Sequence, residues 1–148
     1  MKFSSIKEII DYAKEKEEEA RYYYIEASKY TDNKNIKELF ERLAKEEENH
    51  KKILEDLKIE EISKQVEGVT LPKIKSEDIK VSRKYSPNMS PKELLEFAIE
   101  EEKKAFYLYT EMEEISESKK VKDLFRFLAM QEAYHKAKLE DELENLAL

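Results

Sequence analysis

Residues 36–54 read IKELFERLAKEEENHKKIL, and their apolar residues recur at alternating spacings of four and three. Residues at this spacing lie on one face of an α-helix, which predicts a helix that packs in a bundle. Glu47 and His50 occupy two positions of this otherwise apolar face. The stretch therefore predicts a helix of a bundle, and it places two ionisable residues where a buried apolar face is expected.

The same pattern occurs in three other stretches and predicts four helices at about 5–30, 34–58, 90–115 and 119–146. Charged residues make up 43% of the chain and the mean hydropathy is −0.85, values that resemble a disordered protein. Disorder does not produce four such apolar stripes, so most of the charge must lie on the outer faces. One Gly and three Pro in 148 residues also favour long helices.

Local signals mark the helix ends. Ser90-Pro91-Lys92-Glu93 has the sequence of an N-cap, a proline at the first helical position and a capping-box glutamate. Ser5-Ile6-Lys7-Glu8 repeats this box without the proline. Asp32-Asn33 and Ser116-Glu117-Ser118 separate the other helices. The four helices thus form two hairpins.

The two hairpins are copies of each other. Shifting the chain by 85 residues aligns 5–56 with 90–141, and about 22 of 52 positions are identical without a gap. Such internal repeats reveal architecture. The repeat predicts an all-α four-helix bundle, one domain over 1–148, made of hairpins at about 5–58 and 90–146.

Residues 59–89 differ from both copies, because they contain Gly68, Pro72 and Pro87 and no helical stripe. Ile79-Lys80-Val81-Ser82 alternates and predicts a short extended segment. Antiparallel neighbouring helices need a loop of only about 2–8 residues. We therefore expect a long crossover that makes the second and third helices parallel.

Composition excludes several classes of function. Without Cys there is no disulfide, thiolate zinc site, iron–sulfur cluster or cysteine nucleophile, and one Gly excludes a glycine-rich phosphate loop. A net charge of −7 argues against a nucleic-acid partner. No apolar run suggests a membrane span or a signal peptide. We expect a soluble, cytoplasmic protein.

Six ionisable residues lie on the apolar faces: Glu17, Glu47, His50, Glu102, Glu132 and His135. The four Glu lie 15 residues from the turn of their hairpin, counted from about residues 32 and 117, so all four should lie at one height, about 22 Å from the turn. Glu and His at i and i+3 share a helix face. The six side chains should therefore converge near the middle of the bundle.

Two divalent cations would resolve the cost of burying this cluster. Unpaired buried carboxylates are destabilising, and four of them with two neutral imidazoles carry a charge that two such ions balance. Oxygen-rich ligation favours iron or manganese over zinc. Glu46 is an alternative partner of His50, but its counterpart in the repeat is Gln131, whereas Glu47 matches Glu132. The competing interpretation is a charged core without metal.

These motifs resemble those of the ferritin-like di-iron carboxylate proteins, and of rubrerythrins in particular. The motif Glu-x-x-Ala-x-x-x-Tyr begins at Glu17 and again at Glu102, and Glu-x-x-His begins at Glu47 and at Glu132. The resemblance implies two iron ions, or manganese or a mixed pair, bridged by Glu47 and Glu132. It makes Glu17, Glu102, His50 and His135 the terminal ligands, with Tyr24 and Tyr109 donating hydrogen bonds to carboxylates.

The chain departs from full rubrerythrins in two respects. It has no Cys for a rubredoxin domain, so electrons must come from an external donor such as rubredoxin. Ala105 stands where rubrerythrins have an additional Glu ligand, which predicts a more symmetric site with six protein ligands.

The resemblance implies an oxidoreductase that reduces hydrogen peroxide or, less readily, dioxygen. We also expect a homodimer. A ferroxidase that handles iron, as ferritins do, is an alternative enzyme, and an oxygenase acting on an organic substrate is another. A metal-free helical scaffold or binding module is a third alternative, which the four buried Glu oppose.

Overall fold

A computed structural model describes residues 5–57 and 88–148, and this part of the chain forms four α-helices. They are α1 (Ile6–Lys29), α2 (Lys34–Glu55), α3 (Pro91–Ile115) and α4 (Lys119–Ala147). The four predicted helices are confirmed, although α2 ends before residue 58, at the C-cap Asp56. The expected crossover at 59–89, with its extended segment at 79–82, lies almost wholly outside the described residues.

Side-chain caps define where the helices begin. The Ser90 hydroxyl accepts from the Glu93 amide and the Glu93 carboxylate accepts from the Ser90 amide, both at 3.2 Å, so the predicted capping box before α3 is formed. Ser5 caps α1 through the Glu8 amide. Asn33 and Ser118 cap α2 and α4 directly after the turns. These bonds satisfy amides that have no partner within a helix.

Two apolar clusters occupy the two ends of the bundle. One joins the start of α1, the end of α2, the end of α3 and the start of α4, through residues such as Ile10, Leu54, Met112 and Phe125. The other joins the opposite ends of the same helices, with Tyr24, Phe40, Leu95 and Leu139. The ends of α2 and α3 share one cluster, so these two helices run in the same direction, as predicted.

Most ion pairs on the outside of the bundle lie along single helices, such as Lys7 with Asp11 at 2.8 Å and Lys136 with Glu140 at 3.1 Å. Exposed pairs of this kind add little stability, so the two apolar clusters carry most of it. None of the described helices is long and apolar enough to cross a membrane.

Candidate metal centre

Six ionisable side chains lie between the two apolar clusters. Each is nearly inaccessible to solvent, with exposed fractions that range from 0% to 3%, and they are Glu17, Glu47, His50, Glu102, Glu132 and His135. The structure thus brings all six residues predicted from the sequence together in the middle of the bundle. The flanking Glu15, Glu19, Glu48 and Glu100 are exposed, which agrees with the predicted register of the helices.

The six side chains form two overlapping groups of potential ligands. One group contains Glu17, Glu47, His50 and Glu132, and the other contains Glu47, Glu102, Glu132 and His135. In each group the candidate ligand atoms lie within 4.8 Å of one another. Glu47 and Glu132 belong to both groups, so each could contact two metal ions at once.

Through its Nδ1 atom, each imidazole lies closest to the shared carboxylate of the other hairpin. His50 Nδ1 is 2.7 Å from Glu132 Oε1, and His135 Nδ1 is 2.8 Å from Glu47 Oε1. The distances to the carboxylates on their own helices are longer, at 3.8 and 4.0 Å. The two rings are nearly parallel, with an angle of 6° and centroids 5.5 Å apart. The hairpins are therefore joined through the site itself.

Two buried tyrosines also cross between the hairpins. Tyr24 on α1 donates to Glu102 Oε1 at 2.7 Å, and Tyr109 on α3 donates to Glu17 Oε1 at 2.5 Å. Each of these carboxylates keeps its second oxygen without a hydrogen-bond partner among the described residues. One oxygen is held by a tyrosine while the other remains available to a cation.

Burial and mutual repulsion make this cluster unfavourable without a counterion. Burial, together with the neighbouring carboxylates, raises the pKa of Glu47 and the pKa of Glu132 well above their ordinary values. Burial also disfavours ionised Glu102, but its contacts with Glu132, His135 and Tyr24 outweigh burial and lower its pKa. The site thus tends to hold protons where a metal ion would otherwise supply the positive charge.

Buried polar atoms that lack a hydrogen bond indicate whether these residues could bind metal ions. Seven buried atoms form no well-aligned hydrogen bond in the described part of the chain, although the imidazole nitrogens among them lie close to carboxylate oxygens: Glu17 Oε2, Glu47 Oε1, His50 Nδ1, Glu102 Oε2, Glu132 Oε1, and both ring nitrogens of His135. Buried polar groups are rarely left in this state. A carboxylate oxygen and an imidazole nitrogen are donors that a divalent cation takes. The residues present therefore fit a pair of metal ions.

Glu46, which the sequence offered only as an alternative partner of His50, instead contacts the histidine of the other hairpin, His135. Its Oε2 contacts His135 Nε2, the ring nitrogen that faces away from the carboxylate cluster, and it is partly exposed. A carboxylate on the second ring nitrogen fixes the orientation of a metal-binding imidazole. The sequence contained one indication of such a contact. Glu46 and its counterpart Gln131 both carry a side-chain oxygen that can accept a hydrogen bond from an imidazole N–H.

Comparisons with known proteins agree with this architecture. A family model for rubrerythrin matches residues 8–86 and 93–148. A crystal structure from Thermotoga maritima, described as that of a ferritin-like diiron-carboxylate protein, is similar with a TM-score of 0.73 and 25% sequence identity. The similarity covers 95% of each chain. Among curated proteins, none matches the sequence.

Proposed function

Because the chain belongs to the rubrerythrin family, we propose that its six buried Glu and His residues hold two iron ions and that the centre reduces hydrogen peroxide. The observation that carries this proposal is the pair of ligand groups that share Glu47 and Glu132. The similar protein from Thermotoga maritima is described as a diiron-carboxylate protein, which supports iron as the metal.

When bound, a pair of ferrous ions would supply the two electrons that break the O–O bond of hydrogen peroxide. With two protons, the products are two water molecules. The protein's part is to position and shield this chemistry. The Tyr24 and Tyr109 hydroxyls hold Glu102 and Glu17 in place, and each carboxylate keeps one oxygen without a hydrogen-bond partner among the described residues. The apolar clusters on both sides limit the entry of water along the bundle.

The electrons must be replaced after each turnover. The chain has no Cys, so it cannot carry an iron–sulfur relay of its own. We propose a separate reduced protein such as rubredoxin as the donor. The requirement for a donor makes the peroxidase and iron-handling functions experimentally separable, because only the peroxidase turns over repeatedly on the same iron.

The test begins with anaerobic loading of ferrous iron, followed by hydrogen peroxide and reduced rubredoxin. We expect two iron ions per chain and many turnovers of peroxide with no loss of iron. Glu132→Ala should abolish both iron retention and turnover, while the exposed matched change Glu140→Ala should preserve them. A single oxidation followed by iron release would overturn the peroxidase proposal and favour a ferroxidase.

A further inference from the structure

A cavity of about 330 Å³ opens between α1 and α3 and reaches the buried carboxylates. Its wall includes Tyr12, Ala20, Tyr23, Phe97, Ala105 and Leu108, and its inner end includes Glu17 and Glu102. Protein interiors are normally close-packed, so a space of this size beside a reactive cluster requires an explanation. We propose that it binds an uncharged, mainly apolar organic molecule, with one or two rings, beside the metal centre.

The volume exceeds what peroxide requires. One water molecule takes a share of about 30 Å³ in the liquid, and an apolar cavity of about 150 Å³ is enough to bind benzene. Small-molecule sites begin at roughly 300 Å³. The 330 Å³ cavity therefore has room for a ligand much larger than peroxide or dioxygen.

Two alanines keep the cavity open. Ala20 and Ala105 occupy the same position in the two repeats, three residues after Glu17 and Glu102, so each lies on the same helix face as its carboxylate. A larger side chain at either position would project into the space. The repeat thus places one small residue on each of the two helices that border the cavity.

The wall offers more carbon surface than hydrogen-bonding groups. The Tyr23 hydroxyl donates to the Leu94 carbonyl at 2.6 Å, and the Tyr24 and Tyr109 hydroxyls donate to carboxylates, so these groups already have acceptors. Phe97 lies against Tyr23, with ring centroids 4.8 Å apart. Aromatic walls of this kind suit a ring-containing ligand.

Apart from the carboxylates at the inner end, four charged residues of the cavity lining form two pairs of opposite charge. Lys16 pairs with Glu19 at 3.0 Å and Lys104 pairs with Glu101 at 3.4 Å, each across one turn of its own helix. All four residues line the cavity. Because no charge of one sign dominates this set, an ionised ligand would lose hydration without a matching partner among these four residues, which favours an uncharged ligand.

Isothermal titration calorimetry of the full, metal-loaded protein with indole tests the proposal. We expect saturable binding with one molecule per chain. Inositol, an uncharged polar ring, should bind at least about tenfold more weakly, because its hydroxyls would leave water for a wall that is mostly carbon surface. Absence of saturable indole binding would overturn the proposal, as would equally tight binding of inositol.

Cavity-filling variants locate the binding site. Ala105→Phe should weaken indole binding at least about tenfold, whereas Ala137→Phe, a matched change on the exposed side of α4, should leave it unchanged. Circular dichroism and metal content verify that each variant is folded. If Ala105→Phe does not fold, Ala20→Leu is the second variant and should weaken binding in the same way. Equal effects of the cavity variant and Ala137→Phe would place indole elsewhere and refute the proposal.

This proposal and the peroxide reaction are tested separately, because indole binding is measured without peroxide or an electron donor. Loss of peroxide turnover in the earlier experiment leaves the calorimetric result unaffected, and the reverse is also true.

Discussion

Glu47 belongs to both groups of candidate ligands, whereas Glu15, on the facing helix α1, is exposed. Glu47→Ala should therefore lose both metal ions, because each ion loses an oxygen ligand. Glu15→Ala should keep both. Elemental analysis after gel filtration measures the difference, and equal metal loss in the two variants would contradict the assigned helix register.

Glu46 makes the two halves of the site unequal, because it contacts His135 Nε2 while its counterpart on α4 is the neutral Gln131. Glu46→Gln should weaken one of the two metal-binding steps by about 10–100-fold and leave the other nearly unchanged. Competition with a fluorescent chelator resolves the two steps.

The exposed neighbour Glu48 provides the control for this change, since Glu48→Gln alters charge by the same amount outside the site. Equal weakening in Glu46→Gln and Glu48→Gln would mean that Glu46 acts only through net charge. Equal weakening of both steps would mean that it does not act through His135 alone.

At the scale of the helix, the start of α3 combines a capping box with Pro91 at the first helical position. Ser90→Ala removes the hydroxyl half of this box and should lower the free energy of unfolding by about 1 kcal/mol. Ser118→Ala at the start of α4 should cost less, because the Ser118 bond to the Val121 amide is longer, at 3.5 Å. Urea denaturation of the metal-loaded variants compares them, and a larger loss in Ser118→Ala would contradict this ranking.

Helix boundaries were predictable because they depend on local signals. Ser90 and Glu93 lie three residues apart, and the apolar spacing of α2 is visible in a short stretch of sequence. The contacts between hairpins were not predictable in the same way. The pairing of Tyr24 with Glu102 joins positions 78 residues apart and depends on how far one hairpin is shifted and rotated against the other.

Across the whole molecule, the carboxylate cluster should govern how stability depends on pH in metal-free protein. The pKa of Glu47 and the pKa of Glu132 lie well above the ordinary value of 4.5, so the folded state holds more protons than the unfolded state. The stabilisation that comes from protons bound to these two carboxyl groups is complete below pH 4.5. It is lost as the pH rises through their folded-state pKa values. Contacts with Glu102 and Glu46 outweigh burial and raise the pKa of His135, which acts in the same direction, while the lowered pKa of Glu102 opposes it.

Chelated protein should therefore resist urea better near about pH 5 than near about pH 7.5. Bound metal should reverse this order, because ligands must lose their protons to bind a cation. The double variant Glu47→Gln/Glu132→Gln should have a smaller pH dependence without metal, since neither side chain titrates. Greater stability of chelated wild-type protein at the higher pH would contradict the assigned role of the cluster.

The sequence by itself determined four amphipathic helices, their duplication and the six ionisable residues that meet at one height, because periodicity, caps and repeat offset are written along the chain. Only the tertiary structure decided which groups face each other across the bundle. It pairs each histidine with the shared carboxylate of the other hairpin, brings Glu46 to His135 and leaves the cavity beside Ala20 and Ala105. The physical reason is that a stripe specifies which face of a helix is buried, whereas the offset, rotation and separation of the hairpins come from packing all four helices together.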